Sequence, residues 1–170
     1  MKSFEVTGGC KLSGEITPQG AKNEALQVLC AVLLTGEEVI ISNIPDILDV
    51  RLLVRMLDDL GVQVSRISSD TYSFKAAGVV TGKMYESAFL EKAKMLRGSV
   101  MLVGPMLSRF RKSVLPRPGG DKIGRRRMDT HIVGLQKLGT EVEYDNTRGY
   151  YILSAGTPRG ADILLDEPSV

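Results

Sequence analysis

The sequence has no tryptophan, and aromatic residues make up only 5% of its 170 positions. That scarcity argues against an aromatic ligand cage and against a base-stacking nucleic-acid surface. His131 is the single histidine; with no second imidazole or base partner beside it, it reads as structural. The two cysteines, Cys10 and Cys30, offer neither a metal-ligand spacing nor a disulfide framework, and Cys30 sits in an apolar run as a small core residue. No apolar run approaches the roughly 20 residues of a membrane span, and none follows Met1-Lys2. The chain therefore reads as cytoplasmic, without membrane insertion. Its composition, 43% hydrophobic and 25% charged, is that of an ordinary globular protein long enough to bury a substantial core.

Positive charge is present but unevenly placed. Arg109, Arg111, Lys112, Arg117, Lys122, Arg125, Arg126 and Arg127 are eight basic residues in one short stretch, with Asp121 the one acid among them. The rest of the chain then holds 14 basic and 19 acidic residues, so the net charge of +2 arises here. At the centre lies residues 115–131, LPRPGGDKIGRRRMDTH, too polar for core and rich in turn residues. Composition leaves three readings open: a loop for a small anion, a solvated basic loop, and a nucleic-acid contact. Aromatic interleaving and a recognition-helix motif, which the last would want, are missing.

Periodicity organises the chain around that loop. Residues 3–6 and 11–16 are strand candidates, separated by Gly8-Gly9, and Pro18-Gln19-Gly20 breaks the chain. From Ala21 the spacing of Leu26, Leu29, Cys30 and Leu33 predicts a helix, stopped by Gly36. A strand at 39–42, a helix at 49–60 ended by Gly61, and paired strands at 62–67 and 72–76 follow. The pattern then begins again: a long helical stretch over 87–110 with a kink or break at Gly104-Pro105, a strand at 114–115, a helix at 129–138 ended by Gly139, and strands at 141–144 and 150–154. LGVQV at 60–64 matches LGTEV at 138–142 in sequence and context. A strand at 163–165 would open a third unit, and the chain reads as stopping inside it. Repeated helix–strand–helix–strand–strand units predict an α/β fold in which helices cover sheets.

Three places carry candidate chemistry. Pro18-Gln19-Gly20-Ala21-Lys22-Asn23 puts a Gly-containing turn, a cation and an amide at a helix N-terminus, where N–H groups and the dipole favour an anion, although alone it reads first as a solvated surface lysine. Arg97 lies beside the apolar positions Ala93, Leu96 and Val100, and reads first as a surface arginine on an amphipathic helix. Asp129, ahead of Thr130, reads equally well as an N-cap.

Taken together, GGCKLSGEITPQGAKNEAL, KMLRGSVMLVGPMLSRF, LPRPGGDKIGRRRMDTHIVGLQKLG and LDEPSV resemble, in this order, blocks of the UDP-N-acetylglucosamine 1-carboxyvinyltransferase family, whose members are more than twice as long. Related shikimate-pathway synthases normally carry Lys-Ser where this chain has Lys22-Asn23. The resemblance implies an inside-out α/β barrel of βαβαββ units, incomplete in this chain. Residues 1–20 would belong to a second, mostly absent domain, and residues 21–170 to the first cleft domain.

It also implies a reaction: transfer of the enolpyruvyl group of phosphoenolpyruvate to the 3′-hydroxyl of UDP-N-acetylglucosamine, releasing phosphate, with no metal or cofactor. Lys22, Asn23 and Arg126 match phosphoenolpyruvate-binding positions. Asn23, Arg97, Arg126, Arg127, Met128, Asp129, Thr130, Glu167, Pro168, Ser169 and Val170 match positions along UDP-N-acetylglucosamine. Arg127 and Met128 depart from the family's usual Pro-Val. Asp121 stands where most members carry the cysteine that donates a proton, and aspartate occurs there in a minority. A free carboxyl starts near a pKa of about 3.9 and a thiol near about 8.5, so Asp121 must be raised by desolvation and by the incoming phosphate to act as an acid. Fosfomycin alkylates the family's cysteine, so resistance is expected. The stretch by itself is expected to be inactive and to self-associate. The alternative is a non-catalytic ligand-binding or interaction module of the same fold.

Overall fold

The computed structural model describes residues 3–117 and 128–165. The first unit runs α1 (Lys22–Ala31), β1 (Glu38–Ile41), α2 (Leu48–Asp59), β2 (Gln63–Arg66) and β3 (Tyr72–Lys75). The second runs α3 (Ser87–Met95), α4 (Val103–Phe110), β4 (Lys112–Pro116), α5 (Asp129–Lys137), β5 (Thr140–Asp145) and β6 (Tyr150–Ala155). In each unit the last strand is central and antiparallel to both neighbours, giving the orders β1-β3-β2 and β4-β6-β5. Val39 and Val64 both stand opposite Phe74, as Val114 and Glu143 both stand opposite Ile152. The repeat expected from LGVQV and LGTEV is thus a repeat of topology.

One glycine pair fastens each unit, in the same way in both. Gly61 and Gly139 end α2 and α5 with φ of 97° and 96°, a backbone region where a Cβ is costly. A Cβ on Gly61 would lie 2.5 Å from the Gly78 carbonyl oxygen, and one on Gly139 would lie 3.0 Å from that of Thr157. Gly78 and Gly156, just past the central strands, approach Gly61 and Gly139 in return.

The main core is built from helix faces turned inward. Leu29 and Leu33, Leu53, Met56 and Leu57, Phe74 and Met106 are all fully buried. In α2 the buried positions Val50, Leu53 and Leu57 recur at helical spacing while Arg51 and Arg55 face outward. Burying one such leucine contributes about 2 kcal/mol. Cys30 lies in this core, as expected, and burial pushes its thiol up to about 12.

Several expectations are corrected. Residues 3–20 form no strand: Phe4, Val6, Leu12 and Ile16 are each about nine-tenths exposed or more, and a strand with no neighbour leaves its backbone groups unpaired. Residues 163–165 likewise form no strand. The helical stretch 87–110 breaks at Leu96, which turns extended (φ −110°, ψ 109°), not at Gly104-Pro105. A 3-10 turn, Arg97–Leu102, then leads into α4, and Pro105 falls in the first turn of α4, where its missing N–H costs nothing. The N-cap of α5 is Met128, with Asp129 the first helical residue.

Arg109 is also not part of an outward basic patch. Its Nη1 donates to the carbonyls of Leu33 (3.0 Å), Thr35 (2.7 Å) and Ala76 (3.0 Å), closing the end of the α1 segment against the start of the link after β3. Arg117 lies over the Tyr144 ring, 5.6 Å from its centroid.

Candidate functional site

Lys22, Asn23 and Arg97, far apart in sequence, line one cleft of about 490 Å³. Three chain features bring them there. First, α1 begins at Lys22 with Ala21 as an N-cap that has no capping side chain, so the first-turn N–H groups have no cap bond. Gly20 is required just before it: a Cβ there would sit 2.0 Å from the Asn43 carbonyl oxygen. Second, α2 starts on the same rim, contributing Leu48 and Asp49. The Lys22 ammonium lies 3.2 Å from the Asp49 carboxylate.

Third, the break at Leu96 turns Arg97 toward α1. The Ser99 hydroxyl, buried, donates to the Ala93 carbonyl at 2.9 Å and so ties the 3-10 turn to the end of α3. Between them, Gly98 allows the turn to touch α1, since a Cβ there would stand 3.0 Å from Leu26 Cδ1. Arg97 is half-buried at this contact. The arrangement gathers a lysine, an arginine, an amide and the positive ends of two helices around one opening, which suits a small anion bearing several oxygens. Of the other residues lining the cleft, Gly98 and Asp49 are two that sequence reasoning did not single out. The Arg-Gly pair in KMLRGS was a signal for the first; nothing short-range pointed to the second.

A second, larger cleft of about 680 Å³ lies on the other side of Val100 and Met101, which border both. Leu115, Leu135, Leu138, Ile163 and Leu165 make it mostly apolar, and Thr130 and His131 stand in its wall. The Thr130 hydroxyl is buried with no hydrogen-bond partner among the described residues. His131 is exposed rather than held in the core. Met128 packs partly buried against Val103 and its neighbours, and Asp129 is exposed in the first turn of α5. The structure therefore separates the expected residues into two groups, Lys22, Asn23 and Arg97 in one cleft and Met128, Asp129 and Thr130 at the start of α5. Asp121, Arg126, Arg127, Glu167, Pro168, Ser169 and Val170 lie outside the described residues.

Among the described residues no three His, Cys, Asp or Glu side chains stand close enough together to hold a metal ion, and no helix is long and apolar enough to cross a membrane.

Comparison with known proteins gives this architecture a family. A UDP-N-acetylglucosamine 1-carboxyvinyltransferase of Bacteroides thetaiotaomicron is 55% identical over all 170 residues, which span 39% of that relative's length. The enzymes of the same name from Borreliella burgdorferi and Treponema pallidum are 42% and 40% identical, again over the whole chain and 38% of each relative. Among solved structures, the enolpyruvyl transferase NikO of Streptomyces tendae matches 89% of this chain and 32% of its own with a TM-score of 0.71 at 19% identity. EPSP synthase from Acinetobacter baumannii matches 92% of this chain and 35% of its own with a TM-score of 0.62 at 15% identity. These two likenesses show the fold, an incomplete α/β enolpyruvyl transferase fold. The family model described as EPSP synthase (3-phosphoshikimate 1-carboxyvinyltransferase) matches residues 6–170, and the chain belongs to that family.

Proposed function

We propose that the protein containing this stretch transfers the enolpyruvyl group of phosphoenolpyruvate to the 3′-hydroxyl of UDP-N-acetylglucosamine and releases phosphate, the committed step of peptidoglycan synthesis. The observation that carries the reading is the convergence of Lys22, Asn23 and Arg97 in one anion-suited cleft. The 55% identity to a relative bearing that enzyme name supports it.

The chemistry assigns the parts. A proton is added to C3 of phosphoenolpyruvate while the 3′-hydroxyl oxygen bonds to C2 and gives up its own proton to a general base. Phosphate then leaves C2 as a proton is lost from C3, which restores the enol ether. Asp121 is the proposed proton donor. Lys22, Asn23 and Arg126 hold phosphoenolpyruvate by its phosphate and carboxylate. Asn23, Arg97, Arg126, Arg127, Met128, Asp129, Thr130 and the 167–170 segment lie along the sugar nucleotide. The protein acts in the cytoplasm, supports cell shape and division through the wall, and resists fosfomycin because a carboxylate is a poorer nucleophile toward an epoxide than a thiolate.

Residues 1–20 are proposed to belong with a second domain; the exposed Phe4, Val6, Leu12 and Ile16 are apolar groups that need such a partner. The 170-residue stretch by itself is proposed to be inactive, since the relatives it matches are much longer, and to self-associate through exposed apolar surface around Met101, Leu138 and Leu165. Phosphate release by the full-length protein, dependent on both substrates, tests the reading. No release above that of a Lys22→Gln variant would refute it.

A further inference from the structure

We propose that Asp49 is a positioning residue that holds the Lys22 ammonium at the mouth of the cleft. This rests on the enolpyruvyl-transfer reading and adds to it a residue that makes no contact with substrate in that scheme. Among the described residues lining the cleft, Asp49 is the one carboxylate, set beside Lys22, Arg97 and two helix N-termini. A negative charge in an anion site opposes the ligand, so its presence there calls for a compensating use.

Geometry supplies that use. The Asp49 Oδ2 lies 3.2 Å from the Lys22 Nζ, across the gap between α1 and α2. Both side chains are close to half exposed, 48% for Lys22 and 41% for Asp49, and a pair this open to water adds little to fold stability. Its effect is directional. Lysine carries its charge on a flexible four-carbon stem, which loses entropy when a ligand immobilises it. Asp49 is carried on the first turn of α2, which the buried Val50, Leu53, Met56 and Leu57 fix to the core. The rigid carboxylate therefore restricts the stem before the ligand arrives and lowers the ordering cost of binding.

The test uses the full-length protein and compares wild type, Asp49→Asn, Lys22→Gln and the double variant. Asp49→Asn is expected to raise the KM for phosphoenolpyruvate about tenfold, with the melting temperature held and Asp49→Glu recovering part of the loss. In the Lys22→Gln background, where turnover is lost and the cycle is read as phosphoenolpyruvate affinity by calorimetry, the same substitution is expected to have no further effect. Equal losses in both backgrounds, or an unchanged KM in Asp49→Asn, would overturn the proposal. A second readout is independent of turnover: the rate of reductive methylation of Lys22, followed by peptide mapping, should rise in Asp49→Asn as the ammonium is released. An unchanged rate overturns the positioning role even if the wild type shows no transferase activity. Loss of wild-type activity with a changed labelling rate sinks the reaction assignment alone.

Discussion

In the proposed reaction Asp121 is the proton donor, and its starting acidity sets what that role demands. A thiol is a ready proton donor at neutral pH, whereas a carboxyl near about 3.9 must be pushed upward by burial and by a nearby anion. Lys122 and the arginines at 125–127, neighbours of Asp121 in sequence, would oppose that push. We expect the acid limb of kcat against pH to move when Asp121 becomes Cys in the full-length protein, and the variant to gain a fosfomycin adduct that the parent lacks by mass spectrometry. Superimposable profiles would contradict the assignment. Cys30 offers the opposite case, a thiol that should be inert. Burial holds its pKa near about 12, so maleimide at pH 8 should leave it unmodified until the chain unfolds. Asp46 and Asp70 have carboxyls held below their usual 3.8, chiefly by hydrogen bonds from Arg51 and from Ser68. Because these pKa values are lower in the folded state, their contribution is present above about pH 4 and is lost as pH falls through the folded values. Asp46→Asn should therefore flatten the drop in melting temperature between neutral and acid pH.

At the scale of elements, fold and site depend on a few close approaches. Gly61→Ala and Gly139→Ala both place a Cβ at positive φ, but the first meets a carbonyl oxygen at 2.5 Å and the second at 3.0 Å. Gly61→Ala should destabilise by about 2–3 kcal/mol and Gly139→Ala by less, as measured by urea denaturation. Arg109→Leu should cost about 3 kcal/mol, because three carbonyls lose one charged donor. Helix and strand order was legible in the sequence because α2 carries clear apolar spacing and both α2 and α5 stop at glycines, Gly61 and Gly139. The inward turn of Arg109 was not, since its partners lie in segments far along the chain and local charge counting assigned it to a patch. The break at Leu96 was hidden for a related reason. The apolar spacing continues across it, whereas the glycine at 98 and the Ser99 hydroxyl that set the turn act through contacts with Leu26 and Ala93.

At the scale of the whole molecule, the described residues combine two similar units with an opening between helix starts. Lys22 and Asn23 were readable from their helix N-terminus, but their union with Arg97 needed the packing of α1 against the 97–102 turn. The exposed Phe4, Val6, Leu12 and Ile16 and the apolar second cleft show surface that the described residues leave uncovered. The proposed acceptor is a sugar nucleotide rather than a shikimate. The most direct measurement is phosphate release by the full-length protein from phosphoenolpyruvate with UDP-N-acetylglucosamine or with shikimate 3-phosphate as partner. Release with the first and not the second, abolished by Lys22→Gln, is the predicted result; release only with shikimate 3-phosphate, or with neither, would contradict it.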